Sequence, residues 1–308
     1  MHHGPFPSGL AMPELSRQRI HYLSGGAEGS DASATHGFTE RDAILARANE
    51  YEEVVLWFEH DLLDQLQILQ LLDYFSSAEL DDQDISNLSI ICINRFPGIE
   101  GFRGLGQLNP EQLSSLYPSR EKVTREQIQQ GARCWSIFRE SGPLALQELI
   151  KEEVPGLFFV NPTLLRHCQE YPWLQDGLTR TERQLLHLVA NGEEQPGQLF
   201  VKNMEQEDWL YIGDARTYSI VEVLCNNGNA LLQTRNQSSF LHPYHTKASN
   251  EEFHEQRLVL TDFGRKVLAG DVDARDVIIR DEWLGGVHLE SANTLWFWNE
   301  PEQVFVVA

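Results

Sequence analysis

The chain has 308 residues, with Lys+Arg at 24 and Asp+Glu at 46, for a formal net charge of −22. At roughly 150 residues per domain the length predicts two domains, and the 41% hydrophobic and 10% aromatic content excludes wholesale disorder. The acidic balance argues against a protein that coats nucleic acid or rests on an anionic membrane, and no stretch reaches the ~18 apolar residues of a membrane span.

The first ten residues read as a Pro/Gly-rich loop, without the basic and then apolar pattern of a secretory signal. A helix is expected from Pro13 to Leu23, and residues 24–37 read as a small polar linker. Thr39 is expected to N-cap a helix running to about Asn49, with Glu40 and Asp42 in its first turn. Val54–Phe58 is a continuous apolar run of strand length, as in a parallel sheet buried on both faces. Leu62, Leu66, Leu69 and Leu72 recur at helical spacing and predict a helix from Leu62 to Phe75 packed on that sheet. Glu79–Asp84 reads as an acidic loop and Leu88–Ile93 as a second buried strand. A loop with Gly98, Gly101, Gly104 and Gly106 leads to Asn109-Pro110-Glu111, an N-cap, N1 proline and acidic N2. Alternating strands and helices argue for a parallel, Rossmann-like α/β layer.

From Thr124 to about Arg166 the pattern is helical, with Pro143 and Pro162 opening new helices, and Pro172–Gly177 reads as a boundary. Thr179 and Glu182 match a capping box before an apolar-periodic helix. A short helix is expected around Gln198–Lys202 and another over Asp214–Cys225. Ala230–Thr234 and Leu258–Leu260 read as two strands around a long polar loop, and Thr261–Leu268 as a final helix. Three helices and a two-stranded wing predict a winged helix, and Trp296 and Trp298 share one face of a hairpin-like tail. The expected domains are a Rossmann-like α/β domain over 1–122, a helical connector over 123–176, a winged-helix-like α+β domain over 177–270 and a β-hairpin tail over 271–308.

Ligands of open parallel sheets bind at the carboxyl ends of the strands, and the first buried strand runs straight into Glu59-His60-Asp61. His60 suits general acid or base work near neutral pH, with Asp61 or Glu59 orienting it or binding a metal. The plainer alternative makes Asp61 or Asp64 a helix cap and ties His60 to a loop carbonyl. Asn94 and Arg95 end the second strand and Arg103 follows in the Gly-rich loop, a set suited to an anion such as phosphate. The glycine spacing is neither a Walker loop nor the dinucleotide fingerprint. Arg41 either faces the same rim or pairs with Asp42 on its own helix.

Cys92, Cys134, Cys168 and Cys225 are widely spaced without a CxxC pair, so neither a zinc knuckle nor a disulfide framework is expected and a reducing cytoplasm fits. His242, His245 and His254 lack the spacing of a zinc set and read as a solvated wing loop. The presumed recognition helix offers Arg216 against Asp214 and Glu222, too little positive charge for phosphate contacts.

Leu56-Trp57-Phe58-Glu59-His60-Asp61-Leu62 with Asp64-Gln65-Leu66, then Phe96-Pro97-Gly98 and Phe102-x-Gly104-Leu105-Gly106-Gln107-Leu108, resemble the bacterial family catalogued as domain of unknown function eighteen thirty-five. Leu178-Thr179-x-x-Glu182, Leu260-Thr261-Asp262-x-Gly264 and Trp283-Leu284-Gly285-Gly286-Val287-His288-Leu289 resemble its C-terminal half. The resemblance covers most of the chain but implies no activity. It implies a departure at the start, where His2-His3-Gly4-Pro5 matches a motif that family members place after an opening strand. Either the start is misassigned or the first domain is truncated, and a truncation would leave a bare sheet edge.

The expected function is a bacterial α/β domain that binds or hydrolyses a small molecule, such as a phosphate- or nucleotide-like anion. It would use Glu59, His60 and Asp61, with Asn94, Arg95, Arg103 and Arg41 as ligand contacts. The alternative is a transcription-associated regulator whose winged helix contacts DNA or a protein. The expected partners are a small-molecule ligand and a protein or second copy of the chain. Direct DNA contact is disfavoured but kept open, no membrane is involved, and no cofactor or metal is assigned.

Overall fold

Two helices, α1 (Met12–Leu23) and α2 (Ala32–Leu45), precede the first strand in the computed structural model. It describes residues 4–24, 32–77, 87–226, 228–244, 249–291 and 295–307. The linker expected over 24–37 is corrected where it is described, because α2 already begins at Ala32. Thr39 lies inside that helix, and its hydroxyl donates to the Thr35 carbonyl at 2.8 Å instead of capping. The helix ends at Leu45, short of the expected Asn49. The expected acidic loop at Glu79–Asp84 lies outside the described residues.

The chain divides into two compact units, Met1–Leu164 with Glu282–His288, and Leu165–Asp281 with Leu289–Ala308. In the first, the two apolar runs become β1 (Val54–Glu59) and β2 (Leu88–Ile93). They pair in parallel from Val54 opposite Leu88 to Glu59 opposite Ile93, so their carboxyl ends coincide. Parallel neighbours need a crossover, and α3 (Leu62–Ser77) supplies its helix. Leu62, Leu66, Leu69 and Leu72 are at most 1% exposed, as their spacing predicts. The helix α4 (Pro110–Leu116) has the expected Asn109 cap, whose side chain accepts from the Gln112 amide. The layer is not wholly parallel: a two-residue strand, β3 (Glu121–Lys122), pairs antiparallel with β2. Glu53 holds this edge, accepting from Ser89 at 2.6 Å and Arg120 at 2.9 Å.

Residues 123–164, expected to belong to a connector, fall in the first unit. They form α5 (Arg125–Phe138), α6 (Leu144–Leu149) and the start of α7 (Val160–Cys168). A Cβ on Gly131 of α5 would lie 2.5 Å from the Leu72 side chain, so the α3–α5 contact requires glycine there.

The second unit contains α8 (Arg180–Ala190), α9 (Pro196–Glu205) and α10 (Asp214–Asn226). The capping box at Thr179 and Glu182 forms as its spacing predicts. The strand β4 (Leu232–Thr234) precedes α11 (Asn250–Glu255) and pairs antiparallel with β5 (Leu258–Leu260). The polar loop thus holds a helix, capped by Ser249 and Glu252. After α12 (Asp262–Ala269) come two hairpins, β6 (Asp281–Leu284) with β7 (Val287–Glu290), and β8 (Trp296–Asn299) with β9 (Val304–Val307). The tip of the first belongs to the first unit: Gly286 donates to the Phe138 carbonyl at 3.1 Å, and a Cβ on it would lie 2.0 Å from the Arg139 carbonyl.

Arg166 is the charged centre of the second unit. It is 2% exposed and donates to Glu207 twice at 2.7 Å, to Glu170 at 2.9 Å and to Thr181 at 2.9 Å. Nearby Arg280 donates to Glu182 at 2.8 and 3.1 Å. Among the described residues no helix is long and apolar enough to cross a membrane.

Candidate functional site

The coinciding ends of β1 and β2 bring together most of the residues expected there. Asp61 caps α3, accepting from the Asp64 amide at 2.7 Å, so the capping alternative is correct for it. Asp64 reaches back and accepts the Glu59 amide at 2.7 Å. This double turn gathers three side chains, and one carboxylate oxygen from each of Glu59, Asp61 and Asp64 lies within 4.8 Å of the others. Burial raises all three carboxyls, and Asp64 is pushed up to about 7. Among the described residues no Lys or Arg pairs with any of them within 4.0 Å.

The Gly-rich loop closes over this turn. The Leu105 amide donates to the Glu59 carboxylate. A Cβ on Gly104 would lie 2.1 Å from the same carboxylate, so this glycine admits the contact. His60 is 7% exposed, with the Phe102 ring stacked at 6.4 Å and the Phe159 ring edge-on at 6.3 Å. Burial lowers its pKa, against the opposing pull of Asp61 and of a hydrogen bond to the Ile93 backbone. His60 thus packs between the Phe102 and Phe159 rings, next to the Gly-rich loop.

Asn94 and Arg95 leave the end of β2 exposed to solvent, and Arg103 lies beside Gly104. Neither arginine side chain has a carboxylate partner among the described residues. A cavity of about 300 Å³ adjoins the turn, lined by Gln65, Cys92, Ile93, Leu157 and Phe159 among others. Gln65 ties it to the carboxylates, donating to the Glu59 carbonyl at 2.7 Å. Burial pushes the Cys92 thiol up to about 11, so it is no nucleophile near neutral pH.

Arg41 is not part of this arrangement. It pairs with Asp42 at 2.6 Å and donates to Ser16 at 2.7 Å, as its helix-surface alternative requires. It lines a separate cavity of about 730 Å³ with Phe38, Leu63 and Leu71, to which Glu59, His60 and Asp61 do not contribute. Of the histidines expected in a solvated loop, His254 is exposed on α11, whereas His242 needs correction. His242 is fully buried, accepts the Tyr244 amide on Nδ1 at 3.1 Å and lies 3.2 Å from Ser219 Oγ through Nε2. An accepting Nδ1 puts the proton on Nε2, so this imidazole cannot act as a base toward Ser219. His245 lies outside the described residues.

No family model, curated protein or solved structure matches the chain.

Proposed function

We propose that the carboxyl ends of β1 and β2 bind a small phosphate-bearing ligand through a divalent cation. Charge left uncompensated around one turn and its covering loop carries this reading. Among the described residues Glu59, Asp61 and Asp64 gather with no Lys or Arg within 4.0 Å, and Arg95 and Arg103 stand without a carboxylate. Three close carboxylates require a proton or a cation between them, and hard oxygen ligands suit Mg²⁺, Mn²⁺ or Ca²⁺. Arg95, Arg103 and Asn94 would take the phosphate oxygens, and the adjoining apolar cavity the organic part. A hydrolytic reaction there would use water polarised by the cation.

This reading treats the first unit as Rossmann-like, with the ligand where open α/β sheets hold theirs. Kinship with the domain-of-unknown-function family named above rests on the quoted motifs. Calorimetric titration of the intact protein with Mn²⁺ tests the site. Saturable binding is expected, with a loss of roughly tenfold or more in Asp64→Asn, and ADP should bind only once the cation is present. Absence of saturable Mn²⁺ binding would refute the proposal.

A second reading concerns the other unit. The helices α8, α9 and α10 followed by the β4–β5 pair support a winged-helix-like arrangement, as does the Leu258 amide bonding the Glu194 carbonyl between α8 and α9 at 2.8 Å. With Asp214 and Glu222 beside Arg216 on α10, this surface suits a protein partner better than DNA. Titration with labelled duplex DNA at low salt should show no binding, and tight binding would overturn that preference.

A further inference from the structure

A different cavity in the first unit, of about 410 Å³, holds two opposite charges that do not meet. The loop before α1, the end of α3 and the end of α5 enclose it, and its lining includes Leu10, Asp73, Tyr74, Trp135, Ser136 and Arg139. Arg139 is 6% exposed and held rigidly, with Nε donating to the Pro7 carbonyl at 3.0 Å and Nη2 to the Pro7 and Leu10 carbonyls at 2.5 and 2.9 Å. Its Nη1 donors have no hydrogen-bond partner among the described residues. The Asp73 carboxylate has no hydrogen bond there either, and it is not within 4.0 Å of the guanidinium or of any other basic group.

A half-buried carboxylate and a buried guanidinium would ordinarily be neutralised by direct contact. Here the guanidinium is tied to loop carbonyls instead, and both residues line the same cavity without an ion pair between them. Burial raises the Asp73 carboxyl while Arg139 draws it down, and burial lowers Arg139 while Asp73 raises it.

We propose that this cavity binds a small zwitterion of the α-amino-acid type, its ammonium on Asp73 and its carboxylate on Arg139 Nη1. Both ligand charges then make charge-assisted hydrogen bonds to groups that lack them. Trp135 and Tyr74 offer aromatic surface to the ligand's side chain. None of Glu59, Asp61 and Asp64 lines this cavity, so the proposal stands independently of the cation site.

The test is calorimetric titration of the intact protein with the standard L-amino acids, L-phenylalanine first. Phenethylamine, which lacks the carboxylate, and 3-phenylpropionate, which lacks the ammonium, are the controls. Saturable binding of at least one amino acid is expected. For L-phenylalanine as that ligand, each control should bind about tenfold more weakly or worse. Asp73→Asn should bind the amino acid no better than 3-phenylpropionate, with its melting temperature unchanged to show that the fold is intact. Failure of every amino acid to bind at millimolar concentration, control binding equal to the amino acid's, or undiminished binding by Asp73→Asn would overturn the proposal.

Discussion

Replacing Arg166 with Met removes the centre of the buried network in the second unit and nearly preserves its apolar volume. Four hydrogen bonds disappear, two to Glu207 and one each to Glu170 and Thr181. Glu170 and Glu207 are 4% and 3% exposed, so their carboxylates stay buried after the guanidinium is gone. Glu207 keeps Arg180 at 3.3 Å, and Glu170 keeps the hydroxyls of Thr179 and Thr181 at 3.1 and 2.7 Å, so the loss is cushioned. Breaking one side of a buried ion pair costs about 3–5 kcal/mol, and that is the expected loss of stability. Urea unfolding measures it, and hydrogen exchange of the α8 amides localises it to this unit. Adding Glu170→Gln and Glu207→Gln should recover part of the loss, because the orphaned charges are then gone. A loss below about 1 kcal/mol, the usual value of an exposed pair, would show that the network is solvated and the argument wrong.

The remaining predictions concern a proton and two glycines. Burial and then the neighbouring Arg166 hold His167 down at about 3, so on acidification the unfolded chain takes this proton before the folded one does. Stability from this source is complete above about pH 6.5 and drains away toward pH 3 at up to ~1.4 kcal/mol per pH unit. Between pH 7 and 5, His167→Gln should therefore lose roughly 2 kcal/mol less than the parent, whereas parallel pH profiles would contradict the assignment. Gly131→Val forces a side chain into Leu72 and should lower the stability of the first unit by about 1–3 kcal/mol, read as a shifted urea midpoint; an unchanged midpoint would contradict the α3–α5 contact. Gly104→Ala displaces the end of the Glu59 side chain rather than backbone, so its main effect should fall on Mn²⁺ affinity, by roughly tenfold, with only a small change in melting temperature. Unchanged Mn²⁺ affinity would separate Glu59 from the cation site.

The strongest elements were legible because one physical signal dominated each. Val54–Phe58 and Leu88–Ile93 are apolar without interruption, and Leu62 to Leu72 keep a helical stripe, so the parallel pair and its crossover helix could be read directly. The start of α2 was hidden because its Ala, Ser and Gly residues have the composition of a linker, and Thr39 satisfies its hydroxyl inside the helix. A strand as short as β3 leaves no periodicity at all. The α11 helix did carry a signal, Ser249 three residues before Glu252, obscured by the polar residues around it. At the candidate site, Glu59, His60 and Asp61 were visible from their place after a buried strand. Asp64 was visible only as an alternative helix cap, and its second use follows from the reach of its side chain back to the Glu59 amide. Asp73 and Arg139 sit on different helices, and only the tertiary fold brings their charges to one cavity.

The glycine tip seated on the end of α5 has a consequence for synthesis. Residues 282–288 complete the first unit, although the whole of 165–281 is made before them. On the ribosome that unit would wait, with the Phe138 and Arg139 carbonyls uncovered, until the chain had emerged beyond His288. A fragment cut at residue 164 would keep the parallel strands and the carboxylate turn but lack this closing piece. Supplying 282–288 as a separate peptide should then restore to the fragment what truncation takes away.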